Sequence, residues 1–159
     1  MAKEIERKFM VVDDGYRSIS IGRRAICQAY LSARPEATVR VRILQADDDA
    51  PKAYLTVKGP NDGAVRYEWE YEIPETDARS MMTRLSCEGS IVEKVRYIVP
   101  YGGLVWEVDE FASPCAGLTV AEVEIPDADM EISMPPFVGR EVTGDPKYYN
   151  SSMAVSGSL

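Results

Sequence analysis

The segment VRYEWEYEI at 65–73 alternates without a break, with Arg66, Glu68, Glu70 and Glu72 on one side and Val65, Tyr67, Trp69, Tyr71 and Ile73 on the other. A period of two belongs to a β-strand, whose successive side chains point to opposite faces. The same device recurs along the chain. EIERKF at 4–9 sets Glu4, Glu6 and Lys8 against Ile5, Arg7 and Phe9. ATVRVRIL at 37–44 sets Arg40 and Arg42 against Val39, Val41 and Ile43. AYLTVKG carries Thr56 and Lys58, VEKVRYIV carries Lys94 and Arg96, VWEVDEF carries Glu107 and Asp109, and LTVAEVEIP carries Glu122 and Glu124. A chain written this way is mainly β.

Strands are expected near 3–12, 25–33, 37–45, 52–59, 64–73, 91–99, 104–111 and 118–125. Asp47-Asp48-Asp49-Ala50-Pro51, Gly59-Pro60-Asn61-Asp62-Gly63 and Tyr101-Gly102-Gly103 read as the turns between them. Short turns between neighbours imply an antiparallel sheet. Helices are few. One opens at Pro74-Glu75-Thr76-Asp77 and runs to about Cys87, with Ala78, Met81, Met82 and Leu85 as its apolar stripe and Gly89 as its stop. Asp145-Pro146 has the form of an N-cap followed by a first-turn proline, opening a helix that holds Tyr148, Tyr149 and Met153. A short helix fits within 13–22. No repeat or linker divides the chain, so 1–159 is read as one domain.

Seven of the 18 basic residues fall on these strand rows: Lys8, Arg40, Arg42, Lys58, Arg66, Lys94 and Arg96. A one-sided sheet with a wet outer face explains any single row. It explains the set poorly, because a wet face mixes Thr, Ser, Gln and Lys, whereas here cations and carboxylates segregate onto different strands. Segregated rows suit an anionic ligand together with cations. Arginine forks and lysines grip phosphate oxygens, and carboxylates without histidine or thiolate select hard ions such as Mg²⁺ or Mn²⁺. A sheet closed into a barrel turns the rows inward around water and ligand. Its apolar outside then needs helices as cover, or a partner subunit as in a homodimer.

Composition narrows the chemistry. The net charge of −8 argues against nucleic acid as a partner. No stretch is apolar and long enough to span a membrane, and Lys3, Glu4, Glu6, Arg7 and Lys8 interrupt any signal-peptide pattern. Three scattered cysteines, Cys27, Cys87 and Cys115, suit reduced thiols in a cytoplasmic protein. The chain has no histidine, which removes Ser-His-Asp triads, phosphohistidine chemistry and the usual zinc sites. Gly139 and Gly144 have the spacing that opens a P-loop, but Asp145-Pro146 follows where Lys-Ser/Thr is needed. Trp69 and Trp106 read as core packing.

The ordered set resembles one family. EIERK at 4–8 matches the ExExK signature of the CYTH domains, the triphosphate tunnel metalloenzymes. Arg40-x-Arg42, Thr56-x-Lys58, Arg66-x-Glu68-x-Glu70, Lys94-x-Arg96, Asp109 and Glu122-x-Glu124 follow in the family order, and GREVTGDPKYYNSSMA at 139–154 is similar to its closing segment. The resemblance implies an eight-stranded antiparallel closed barrel forming a charged tunnel, with a few covering helices. It implies metal-dependent hydrolysis or transfer at a triphosphate. Glu4, Glu6, Asp109, Glu122 and Glu124 would face the metals. Lys8, Arg40, Arg42, Lys58, Arg66, Lys94 and Arg96 would hold the phosphates. Lys94 would orient or deprotonate the attacking water, and Tyr30 would reach into the tunnel beside it or pack in the wall. The compact chain resembles the short bacterial members acting on inorganic tripolyphosphate. A nucleoside or thiamine triphosphatase, a class IV-type adenylate cyclase and a non-catalytic polyphosphate binder are the alternatives.

Overall fold

The alternating segments form nine strands among residues 3–159, which the computed structural model describes. They are β1 (Lys3–Val11), β2 (Gly22–Ser32), β3 (Thr38–Ala46), β4 (Lys52–Lys58), β5 (Val65–Ile73), β6 (Glu88–Tyr101), β7 (Leu104–Ser113), β8 (Thr119–Glu124) and β9 (Val138–Glu141). Three α-helices accompany them: α1 (Tyr16–Ile19), α2 (Glu75–Arg84) and α3 (Asn150–Ser156). No described helix is long and apolar enough to cross a membrane.

The sheet order is β5-β4-β3-β2-β6-β7-β8-β1, and β1 returns to pair with β5. Lys3, Glu4 and Ile5 face Tyr67, Arg66 and Val65 of β5, while Glu6 to Met10 run along β8. β1 therefore closes an eight-stranded antiparallel barrel, as the resemblance implies. Around the ring β3 lies four strands from β8 in either direction, so the Arg40/Arg42 row and the Glu122/Glu124 row stand on opposite walls.

The apolar rows point outward, and most of the core lies outside the barrel. Phe9, Trp106, Val108, Ala121 and Val123 pack with Tyr16 and Phe137 from the flanking segments. On the other side Val41, Ile43 and Ala53 pack against Ala78 of α2, with Met81 and Met82 beside it. Each large apolar side chain fully buried this way contributes about 1.5–3 kcal/mol. A third cluster sits across one end of the lumen, where α3 brings Met153 and Ala154 against Tyr30, Val92, Phe111 and Val120. That end is capped by protein.

The departures from the sequence reading have local causes. The 75–87 helix stops at Arg84, because the chain from Glu88 onward is taken into β6, where Glu88 pairs with Tyr30. Gly89 is part of β6 rather than a helix stop, lying where the β2–β6 register shifts, with φ of 75°. A side chain there would place Cβ 2.3 Å from the carbonyl oxygen of Ala154, so only glycine lets α3 lie this close. β9 carries no long alternation and owes its existence to the free upper edge of β1. The helix expected at Asp145-Pro146 divides into a single 3₁₀ turn, Pro146–Tyr148, and α3, because Tyr149 between them is extended. Tyr101 and Leu104 close the expected hairpin, with Gly102 and Gly103 both at positive φ. Trp106 is buried as expected, whereas Trp69 is 43% exposed on the outer wall, stacked on Tyr67 with ring centroids 6.0 Å apart.

Candidate active site

The inward rows enclose a cavity of about 650 Å³. Every cation and carboxylate assigned to the site from the sequence, apart from Asp109, lines it, as does Tyr30. Asp109 lies behind the lining and is fully buried.

Four cations are already countered by carboxylates. Lys58 Nζ lies 3.1 Å from Glu4 Oε2 and 3.5 Å from Glu68 Oε2. Lys8 Nζ lies 3.3 Å from Glu122 Oε1 and donates to the Tyr148 carbonyl at 2.9 Å. Lys94 Nζ donates to Asp109 Oδ2 at 2.7 Å and to Asn150 Oδ1 at 2.8 Å. Arg96 forks onto Asp109, with Nε at 2.7 Å and Nη2 at 2.9 Å, and reaches Glu107 through Nη1 at 3.1 Å. Both oxygens of Asp109 are thus occupied by cations, and its pKa is held far below the carboxylate range because Arg96 and Lys94 outweigh its burial. Asp109 is thus a buried counter-ion of Lys94 and Arg96.

Three guanidiniums are poorly countered. Arg42 is paired to no carboxylate among the described residues; its Nε donates to Gln28 Oε1 at 2.8 Å. Burial, reinforced by Arg40 and Arg96, pulls its pKa down to about 9. Among the described residues Arg66 donates only to the Gly59 carbonyl, at 3.1 and 2.8 Å, and burial lowers its pKa too. Arg40 is 8% exposed, holds Thr56 Oγ1 at 3.2 Å, approaches Glu70 no closer than 3.6 Å, and leaves Nε buried without an acceptor among the described residues. On β1 and β8, of which β8 lies opposite β3, the imbalance has the other sign. Glu6 forms no side-chain ion pair among the described residues, and burial together with Glu122 and Glu4 raises its pKa well above the usual value. Glu4 and Glu124 are raised as well, chiefly by burial. The lumen therefore presents unsatisfied positive charge on β3 and β5 and unsatisfied negative charge on β1 and β8.

Lys94 is the cation whose charge is least secure. Burial lowers its pKa to about 7, with Arg96 and Arg42 adding to the effect and Asp109 opposing it. Tyr30 Oη accepts from Gln28 Nε2 at 3.1 Å. Gln28, fully buried in the β2 row, and Asn150, at the start of α3, were not singled out in the sequence. Gln28 shares its strand face with Tyr30, which was a usable signal; Asn150 arrives from 122 residues away and has none. Glu68 and Glu107 were legible in their rows and do sit in the lumen wall.

A carboxylate set of oxygens alone fits a hard divalent cation. Among the described residues no three acidic side chains converge into a ready cation cage. Mg²⁺ takes one or two carboxylates and completes its shell with water and phosphate oxygens. Glu6 and its neighbours Glu4, Glu122 and Glu124 are the residues that would hold it.

Comparison with known proteins points the same way. The family model described as the CYTH domain matches residues 2–151. The inorganic triphosphatase of Acetivibrio thermocellus is 44% identical over 153 residues, covering 96% of this chain and 94% of that protein. The inorganic triphosphatase of Nitrosomonas europaea is 34% identical over 159 residues, covering 96% and 97%. A crystal structure of an inorganic triphosphatase superimposes with a TM-score of 0.64 at 31% identity, covering 98% of this chain and 96% of that one.

Proposed function

Since the chain belongs to the CYTH domain family, we propose that it is a metal-dependent triphosphatase releasing the terminal phosphate of inorganic tripolyphosphate, with Mg²⁺ or Mn²⁺. The observation that carries this reading is the split imbalance of charge across the lumen. Arg40, Arg42 and Arg66 call for an anion, and Glu6 with Glu124 calls for a cation. A metal–triphosphate complex answers both at once, whereas an anion alone leaves the carboxylate wall uncompensated.

Arg40, Arg42 and Arg66 bind the phosphate oxygens, and their charge stabilises the diphosphate as it leaves. Mg²⁺ or Mn²⁺, which Glu6 with Glu4, Glu122 and Glu124 would hold, would supply charge withdrawal from the phosphate oxygens and a lowered pKa for water. Near neutral pH a fraction of Lys94 is uncharged and accepts a proton from the attacking water through Nζ. As the water oxygen bonds to the terminal phosphorus, the bridging P–O bond breaks and diphosphate carries away the electron pair. Asp109 keeps Lys94 and Arg96 oriented toward that centre.

A phosphate-release screen over tripolyphosphate, ATP, thiamine triphosphate and diphosphate, with each metal in parallel, tests the proposal. Orthophosphate and diphosphate from tripolyphosphate, abolished by EDTA, are expected. Release unaffected by EDTA, cyclic AMP from ATP, or binding of tripolyphosphate without turnover at either metal would overturn it.

A further inference from the structure

The capped end of the lumen holds a chain of hydrogen bonds whose direction is fixed by chemistry. Arg42 is a donor-only group, and so is Lys94 in the charged form that pairs with Asp109. Arg42 Nε gives its proton to Gln28 Oε1 at 2.8 Å, and Lys94 Nζ gives one to Asn150 Oδ1 at 2.8 Å. Gln28 Nε2 lies between, 3.0 Å from Asn150 Oδ1 and 3.1 Å from Tyr30 Oη. Reversing the Gln28 amide would set its NH₂ against the Arg42 N–H and its oxygen against Asn150 Oδ1. Reversing Asn150 would set its NH₂ against Lys94 and Gln28 together. Both amides are therefore locked in one orientation by the cation at each end of the chain.

Two donors are left over. Tyr30 Oη receives from Gln28 and gives its own proton to no protein acceptor among the described residues. The Nδ2 of Asn150 likewise makes no hydrogen bond among the described residues, and it is not among the buried atoms lacking partners. Both residues line the lumen. Neutral donors flanked by Arg42 and Lys94 suit an anionic oxygen between those cations.

We propose that Asn150 binds substrate through Nδ2, and that Gln28 is a positioning residue which turns Asn150 and the Tyr30 hydroxyl toward the phosphoryl group held between Arg42 and Lys94. This inference rests on the reading of the lumen as a triphosphate site. The signal is strongest where shape and charge separate. Asn150→Asp keeps the acceptor for Lys94 and Gln28 but points an anionic oxygen at the phosphate. Gln28→Glu keeps the acceptor for Arg42 but removes the donor, so Tyr30 gives its proton to residue 28 instead of to substrate.

Tripolyphosphate hydrolysis and unliganded melting temperature are measured for wild type, Asn150→Asp, Gln28→Glu, Tyr30→Phe and the Gln28→Glu/Tyr30→Phe double variant. Asn150→Asp should raise KM at least tenfold without lowering the melting temperature. Tyr30→Phe should cost several-fold in kcat alone and almost nothing further on top of Gln28→Glu, the non-additivity expected of groups acting through one another. Inactive wild type would instead defeat the triphosphatase reading itself. With wild type active, a wild-type KM in Asn150→Asp, or fully additive losses in the double variant, would overturn the proposal. If Gln28→Glu does not fold, the Asn150→Asp KM decides the matter alone.

Discussion

Replacing Asp109 by Asn separates a buried counter-ion from a metal ligand. Asp109 is fully buried and accepts three hydrogen bonds, one from Lys94 and two from Arg96, all between 2.7 and 2.9 Å. The amide has nearly the same shape but no charge, and its NH₂ must face a donor-only cation. Removing one partner of a buried ion pair leaves the other uncompensated and costs about 3–5 kcal/mol. A chain of this length loses about 2–4 °C per kcal/mol, so the melting temperature in EDTA should fall by roughly 6–20 °C. A polyanion in the lumen supplies part of the missing charge. Tripolyphosphate at about a hundredfold excess over Kd stabilises a folded protein by about 2.7 kcal/mol, enough to return roughly 5–11 °C. Thermal melts in chelator, with and without tripolyphosphate, read both effects. An Asp109→Asn protein that melts like wild type in EDTA, but needs far more metal for hydrolysis, would refute the counter-ion argument and return Asp109 to the metal.

Arg40→Leu removes a buried guanidinium whose Nε has no acceptor and whose nearest carboxylate is 3.6 Å away. The unliganded melting temperature should change by no more than a degree or two while the shift given by tripolyphosphate shrinks; a much earlier melt with the full shift retained would mark a structural ion pair. Gly89→Ala should destabilise the protein and loosen α3, because its Cβ meets backbone atoms of Ala154 and its φ is 75°; faster amide exchange across 150–156 checks this, and exchange like that of wild type would contradict it. The unliganded protein should pass through a stability maximum on the acid side. The pKa values of Glu6 and Glu4 are raised on folding, chiefly by burial, so their protonation stabilises the fold as pH falls through their folded values. Glu122 is the reverse case. Lys8 and Arg96 outweigh its burial and hold it at about 2, so the stability it contributes above its ordinary 4.5 is lost as pH falls from there toward 2. Glu6→Gln should flatten the rise, Glu122→Gln should flatten the fall, and melts over pH 2–8 that decline steadily from neutrality would exclude this assignment.

Much of this was written in the sequence. Period-2 alternation decided which side chains face the lumen, and it did so for Glu4, Lys8, Arg40, Lys58, Lys94 and Glu122 alike, because a strand's faces follow from local geometry alone. The segregation of cations and carboxylates onto different rows, together with the absence of histidine, pointed to a polyanion with a hard metal. Which charges cancel was not legible. Alternation places Asp109, Glu107 and Glu122 identically, yet only the register of β6 against β7 sets Arg96 opposite Asp109 and makes it the counter-ion of a buried pair. Gln28 looked like one more polar residue in a wall. It became the centre of a directed hydrogen-bond chain only when α3 carried Asn150 across the end of the barrel to within 3.0 Å. Faces are fixed residue by residue along the chain; partners 122 residues apart are fixed by closure of the β1–β5 seam and by the packing of Met153 and Ala154 beneath Tyr30, which no local period encodes.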